Sequence, residues 1–169
     1  MTSIYEGLIC ELKKKLKNKN INFKKIFSLI NNNKYDTIIE IIHDNTIQTL
    51  IENIVDERKK IGNNMEKKLN DLLWLNDILI IFGEEPQSSK TKALKLLKTK
   101  VFINIYALEA ENYARRTTKK LLREELIKNP DLRYPLYLAK KNTMLRCFLI
   151  KLKLKSKKIK NKNMLNIVN

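Results

Sequence analysis

Arg115, Arg116, Lys119, Lys120 and Arg123 are the side chains whose types and spacing best suit them to chemistry. On one continuous helix, at 100° per residue, they fall within about 140° of arc. Guanidinium and ammonium groups one turn apart can track phosphates along a nucleic-acid backbone, where release of condensed counterions drives affinity. Ala114, Thr118, Leu121 and Leu122 cluster on the opposite side, toward a core. Like charges this close destabilise an isolated helix by about a few tenths of a kcal/mol per pair, so something must offset them. The competing reading is a solvated face partly neutralised by Glu111, Glu124 and Glu125.

A second basic constellation follows. Over 136–155, Leu138, Leu145, Phe148, Leu149 and Leu152 make an apolar stripe. Lys140, Lys141, Arg146, Lys151, Lys153 and Lys155 flank it. A basic amphipathic helix can bind a duplex, an anionic membrane surface or an acidic partner groove. It can also simply dock its stripe on its own core. Residues 156–169 continue as a lysine-rich tail, expected to be disordered. The run 153–162 has the composition of a nuclear import signal, a weakly specific pattern.

Catalysis finds little support. His43 is the only histidine and lies among isoleucines. The pairs Glu84–Glu85 and Glu124–Glu125 are sequence neighbours, so on a helix they diverge by about 100° rather than face each other across a substrate. Gly7, Gly62 and Gly83 are isolated, and no phosphate-cradling loop exists. Cys10 and Cys147 lack cysteine or histidine partners at metal-ligand spacing, so neither a disulfide framework nor a metal site is expected. No cofactor is implied. Phe102, Tyr106, Tyr113, Tyr134, Tyr137 and Phe148 are interleaved with bases, as in proteins that stack single-stranded bases, although such rings more commonly belong to a core or its rim. No zinc finger, RNA-recognition signature or helix-turn-helix consensus is present.

The charge distribution gives these residues their context. Residues 1–89 carry 13 bases and 13 acids, whereas residues 90–169 carry 22 bases and 5 acids and so supply the whole net charge of +17. Asp131 is the last acid, and 11 bases follow it. Lys, Ile and Asn, at 29, 22 and 20 residues, share A/T-rich codons, so genome composition alone would enrich them. Codon bias would spread lysine evenly, however, and five of the six arginines also lie in the basic half. Residues 36–89 hold 11 acids against 5 bases and could cover the basic face. Thiol usage points to an intracellular, reducing compartment. The N-terminal stretch, with Glu6 and Glu11, does not read as a signal peptide. The most apolar run, 72–82, contains Asn76 and Asp77 and is too short to span a bilayer.

The elements that must position these residues read as helices. Three glycines and three prolines in 169 residues suit an all-α chain and starve a turn-rich β fold. Ser3 and Glu6 form a capping box opening a helix over 3–17, and a short helix follows over 22–31. Thr37 and Glu40 suggest a helix from 37 to about 60, kinked near 44–45. Gly62, Asn63 and Asn64 read as a turn, and a buried helix should run from 65 to a C-terminal cap at Gly83. Residues 83–89 are a candidate hinge. Ser88 or Ser89 caps a helix over 90–99, with Lys90, Lys92, Lys95 and Lys98 outward. Residues 101–106 read as a short strand or as the start of a helix to about 128. Asn129–Pro130 and Pro135 then open new helices.

The expectation is one compact all-α domain of about five to seven helices over 1–155, ending in the basic tail. Its expected function is non-enzymatic binding to the DNA or RNA backbone. The alternative is a helical interaction module that docks a protein partner through its apolar faces. Peripheral contact with an anionic membrane is a third use of the last helix.

Overall fold

A computed structural model describes residues 3–141 and Leu145. Arg146, Lys151, Lys153, Lys155 and the tail expected over 156–169 lie outside the described residues. Within them the chain is all-helical, with nine α-helices, two short 3-10 turns and no strand. Caps decide where most helices begin. In α1 (Ile4–Asn18) the Ser3 hydroxyl accepts from the Glu6 amide at 3.2 Å, and the Glu6 carboxylate accepts from the Ser3 amide at 3.3 Å. This is the expected capping box, satisfying two otherwise orphaned donors. Asn22 caps α2 (Phe23–Asn31).

The centre of the molecule is α4 (Asn45–Asn70), a 26-residue helix. It packs against α1, α5 (Leu72–Ile81), α7 (Ile105–Glu109) and α9 (Leu136–Ala139). Its apolar stripe of Ile47, Ile51, Ile54, Ile61, Met65 and Leu69 is buried with Leu12 and Leu16 of α1 and Ile26 and Phe27 of α2.

Several expected boundaries are corrected. Thr37 and Glu40 do not form a capping box: α3 (Tyr35–Ile41) starts earlier, with Lys34 at the cap position and no side-chain cap. The break near 44–45 separates two helices, because Asp44 accepts from the Thr46 and Ile47 amides and nucleates α4 afresh. Gly62, Asn63 and Asn64 are not a turn but lie inside α4. A Cβ at Gly62 would stand 2.1 Å from the Tyr134 hydroxyl oxygen. The glycine therefore serves a close approach within a helix. The real break falls at Asp71, which ends α4 and caps α5 through the Leu73 amide at 2.9 Å. Gly83 terminates α5 as expected. Its φ of 78° lets the Gly83 and Glu84 amides return to the Ile80 and Leu79 carbonyls, both at 2.9 Å.

Residues 84–89, the candidate hinge, are tied to α5. The Asn76 side chain accepts from the Gln87 amide at 2.8 Å and donates to its carbonyl at 3.1 Å. Ser89 caps α6 (Lys90–Lys100). The expected helix to 128 is interrupted. Residues 101–104 form neither helix nor strand. Asn104 caps α7, and Glu111, with φ of 57°, turns the chain into a 3-10 turn at Tyr113–Arg115. Thr118 then caps α8 (Lys119–Lys128). Pro130 opens a second 3-10 turn, Pro130–Leu132, and α9 follows Pro135.

One charge lies at the heart of the core. Arg58 of α4 is fully buried. Its Nε donates to the Tyr5 hydroxyl at 3.1 Å, one Nη to Asn31 Oδ1 at 2.9 Å, and the other to the Arg133 carbonyl at 3.2 Å. The guanidinium also lies over the Phe27 ring, 4.7 Å from its centroid. Three chain segments far apart in sequence are thereby held to α4.

Candidate nucleic-acid interface

The five-residue basic face does not exist as a single helix surface. Arg115 and Arg116 belong to the 3-10 turn and its cap, whereas Lys119, Lys120 and Arg123 belong to α8. The caps at Asn104 and Thr118 break the continuity that the spacing required. Arg115 is exposed and stands 3.6 Å from Glu6 of α1. Arg116 donates to the Phe82 carbonyl at 3.0 Å and stacks 5.0 Å from the Phe82 ring, fastening the turn to the end of α5. Arg123 is half-buried, and its enclosed Nε has no hydrogen-bond partner among the described residues. Leu122 faces the core as expected, but Ala114, Thr118 and Leu121 are exposed.

Lys119 and Lys120 fill the first turn of α8, and both are exposed. Cations at a helix N-terminus oppose the dipole, so their position costs local stability instead of adding to it. On α6, Lys92, Lys95, Lys98 and Lys100 are exposed, and Lys90 donates to Asn70 Oδ1 at 3.0 Å. Lys140 and Lys141 follow α9 and are exposed. Arg133 does different work: it donates to the Leu126 and Ile127 carbonyls at 2.5 and 2.9 Å and closes the end of α8.

The acids of 36–89 do not neutralise this surface. Asp44 pairs with Lys19 at 2.7 Å, Asp56 with Lys59 at 2.8 Å and Glu57 with Lys60 at 3.5 Å. Among the described residues, none of them lies within ion-pair distance of a base in 90–141. The one base of that stretch in an ion pair is Arg115, and its acid comes from α1. Among the described residues no cluster of three potential metal ligands occurs, and no helix is long and apolar enough to cross a membrane.

No family model matches this chain, and neither a curated protein nor a solved structure matches it significantly.

The aromatic rings of the basic half are largely engaged in packing. Tyr106 stacks on Tyr5 at 4.3 Å, and Tyr134 lies 6.1 Å from Tyr106. Tyr113 meets the Phe82 ring edge-on at 5.9 Å, and Tyr137 shares a 2.8 Å hydrogen bond with the Tyr35 hydroxyl. Burial pushes the Tyr5, Tyr106 and Tyr134 hydroxyls above their ordinary pKa, and burial plus the Tyr137 hydrogen bond does the same for Tyr35. Phe148 lies outside the described residues. Sequence reading missed Arg58 as the hub of this cluster. The signal was present: Arg58 continues the stripe of Ile51, Ile54, Ile61 and Met65 at helical spacing, an apolar face that ordinarily excludes charge.

Proposed function

We propose that this protein binds nucleic acid without catalysing a reaction, contacting phosphates through the exposed lysines of α8 and α6. The observation that supports this is the unneutralised charge. Residues 90–141 carry 14 bases and 5 acids, and a single described base among the 14 is ion-paired. Lys119 and Lys120 oppose their own helix dipole, a local penalty that a bound phosphate would relieve. Arg115, Arg116 and Arg123 are assigned a lesser role, because each is paired, stacked or half-buried.

The test is binding of a random duplex and a random single strand across a salt series. The expected log–log slope is about −5 or steeper, as for simultaneous neutralisation of several phosphates. The Lys119→Gln/Lys120→Gln variant should lose affinity for all sequences alike and flatten the slope by about 2. Weak binding with a shallow slope in the parent protein would overturn the reading.

A second reading is a helical module that docks a protein partner. It is favoured by α5, where Leu73, Ile80 and Ile81 are 75%, 57% and 52% exposed along a helix expected to be buried. A sharp monomer in analytical ultracentrifugation, without hydrophobic-dye binding, would count against it.

A further inference from the structure

One backbone contact brings the lysines of α6 and α8 together. The Thr117 amide donates to the Phe102 carbonyl at 2.9 Å. Phe102 lies two residues beyond Lys100, the last residue of α6, and Thr117 lies two before Lys119, the first of α8. The Cα atoms of Lys100 and Lys119 are therefore no more than ~20 Å apart. Lys92, Lys95, Lys98 and Lys100 are exposed along α6, and Lys119 and Lys120 are exposed at the start of α8. Lys92, Lys95 and Lys98 recur at every third residue, on the side of the helix opposite buried Ala93 and Leu97. Among the described residues none of the six lysines is in an ion pair, and α6 carries no acid.

What these two helices offer a ligand is charge. Every ring in residues 90–141 is buried or half-buried. Tyr106 is stacked on Tyr5, Tyr113 meets Phe82 edge-on, and Tyr137 is hydrogen-bonded to Tyr35. Stacking on open rings is what lets a protein hold the bases of a single strand. A polyanion held by charge is selected by its charge density. A B-form duplex carries one phosphate per ~1.7 Å of axis and releases ~0.9 counterions for each phosphate neutralised, against ~0.7 for a single strand. Given nucleic-acid binding, on which this rests, we propose that the six lysines form one surface spanning α6 and α8, and that it takes the backbone of a duplex in preference to a single strand.

The test is titration of the full chain with a GC-rich DNA duplex of about 12 base pairs, and with an unstructured single strand of equal phosphate number, across a salt series. Six phosphates neutralised together give expected log–log slopes of about −5.4 for the duplex and about −4.2 for the single strand. With equal affinity at ~1 M salt, the duplex should then lead by about 35-fold at ~50 mM. One duplex should bind per protein molecule. Lys92→Gln/Lys95→Gln/Lys98→Gln should flatten the duplex slope by about 2.7, and adding Lys119→Gln/Lys120→Gln should flatten it by about 1.8 more. Lys24→Gln/Lys25→Gln, which removes exposed charge from α2, should leave the slope unchanged. A single strand bound as tightly as the duplex, two duplexes per molecule, or equal flattening by the α2 variant would each overturn the shared duplex surface and leave nucleic-acid binding standing. Binding of neither polyanion would overturn both.

Discussion

At Arg58 a guanidinium that keeps its proton throughout the accessible pH range is held by neutral oxygens alone. A hydroxyl, a side-chain amide and a peptide carbonyl take its donors, and among the described residues no carboxylate lies within ion-pair distance. Arrangements of this kind cost solvation, so every donor must find a partner. Gly62, one turn further along α4, shows the same crowding, because the Tyr134 hydroxyl that fills its side-chain space also donates to the Arg58 carbonyl at 3.2 Å. An exposed helical glycine usually gains about 1 kcal/mol of stability on replacement by alanine. Here Gly62→Ala should lose about 1–3 kcal/mol by overpacking. In the Tyr134→Phe background, which lacks the clashing oxygen, the loss should shrink, as urea denaturation of all four proteins would show. Which side chains are basic was legible from the sequence. Which of them are free was not, since Arg116 is spent on the Phe82 carbonyl and Arg133 on the end of α8, contacts set by tertiary packing.

Capping chemistry largely explains which elements could be read. The helices opened by Ser3, Asn22 and Ser89 follow local rules, in which a short polar side chain meets an orphaned amide. Asp44 and Asp71 obey the same rule, but each sits between apolar runs that read as continuous, so neither cap stands out in the sequence and the glycine at 62 draws the expected break instead. Asp44 also carries a pH dependence. Hydrogen bonds from Lys19, Thr46 and the Ile47 amide hold its carboxyl below the usual carboxylate range. Its contribution is therefore present above the unfolded value near ~4 and lost as pH falls through the lower folded value. Denaturation midpoints should drop between about pH 5 and pH 2, and Asp44→Asn should show a shallower drop over that window. An unchanged acid profile in the variant would assign the effect to other carboxylates.

Across the whole molecule, the all-helical class and the charge asymmetry were legible because both are properties of composition and period. The alliance of α1 with residues 129–134 was not, because nothing local in either segment announces it. There the Tyr5 hydroxyl donates to the Asp131 carbonyl at 2.6 Å, and Lys13 pairs with the Asp131 carboxylate at 2.9 Å. The tyrosines around Arg58 turn that alliance into an alkaline limit. Their folded pKa values lie above the unfolded value near ~10, so the stability they lend is intact below that pH and is lost as pH rises through the raised values. Absorbance at 295 nm and far-UV circular dichroism should therefore change together above about pH 10. Tyrosinate forming well before the helices melt would contradict this.

The Arg58 hub also bears on the order of events at the ribosome. A nascent chain that has emerged only as far as Gly83 already contains α1, α2 and α4, yet the Arg133 carbonyl that takes one guanidinium nitrogen has not been made. Until residues 130–134 arrive, closing the core means burying a charge with a donor unmet. The near-neutral half of the chain therefore completes the hydrogen bonding of its own buried guanidinium only with a carbonyl supplied by the basic half.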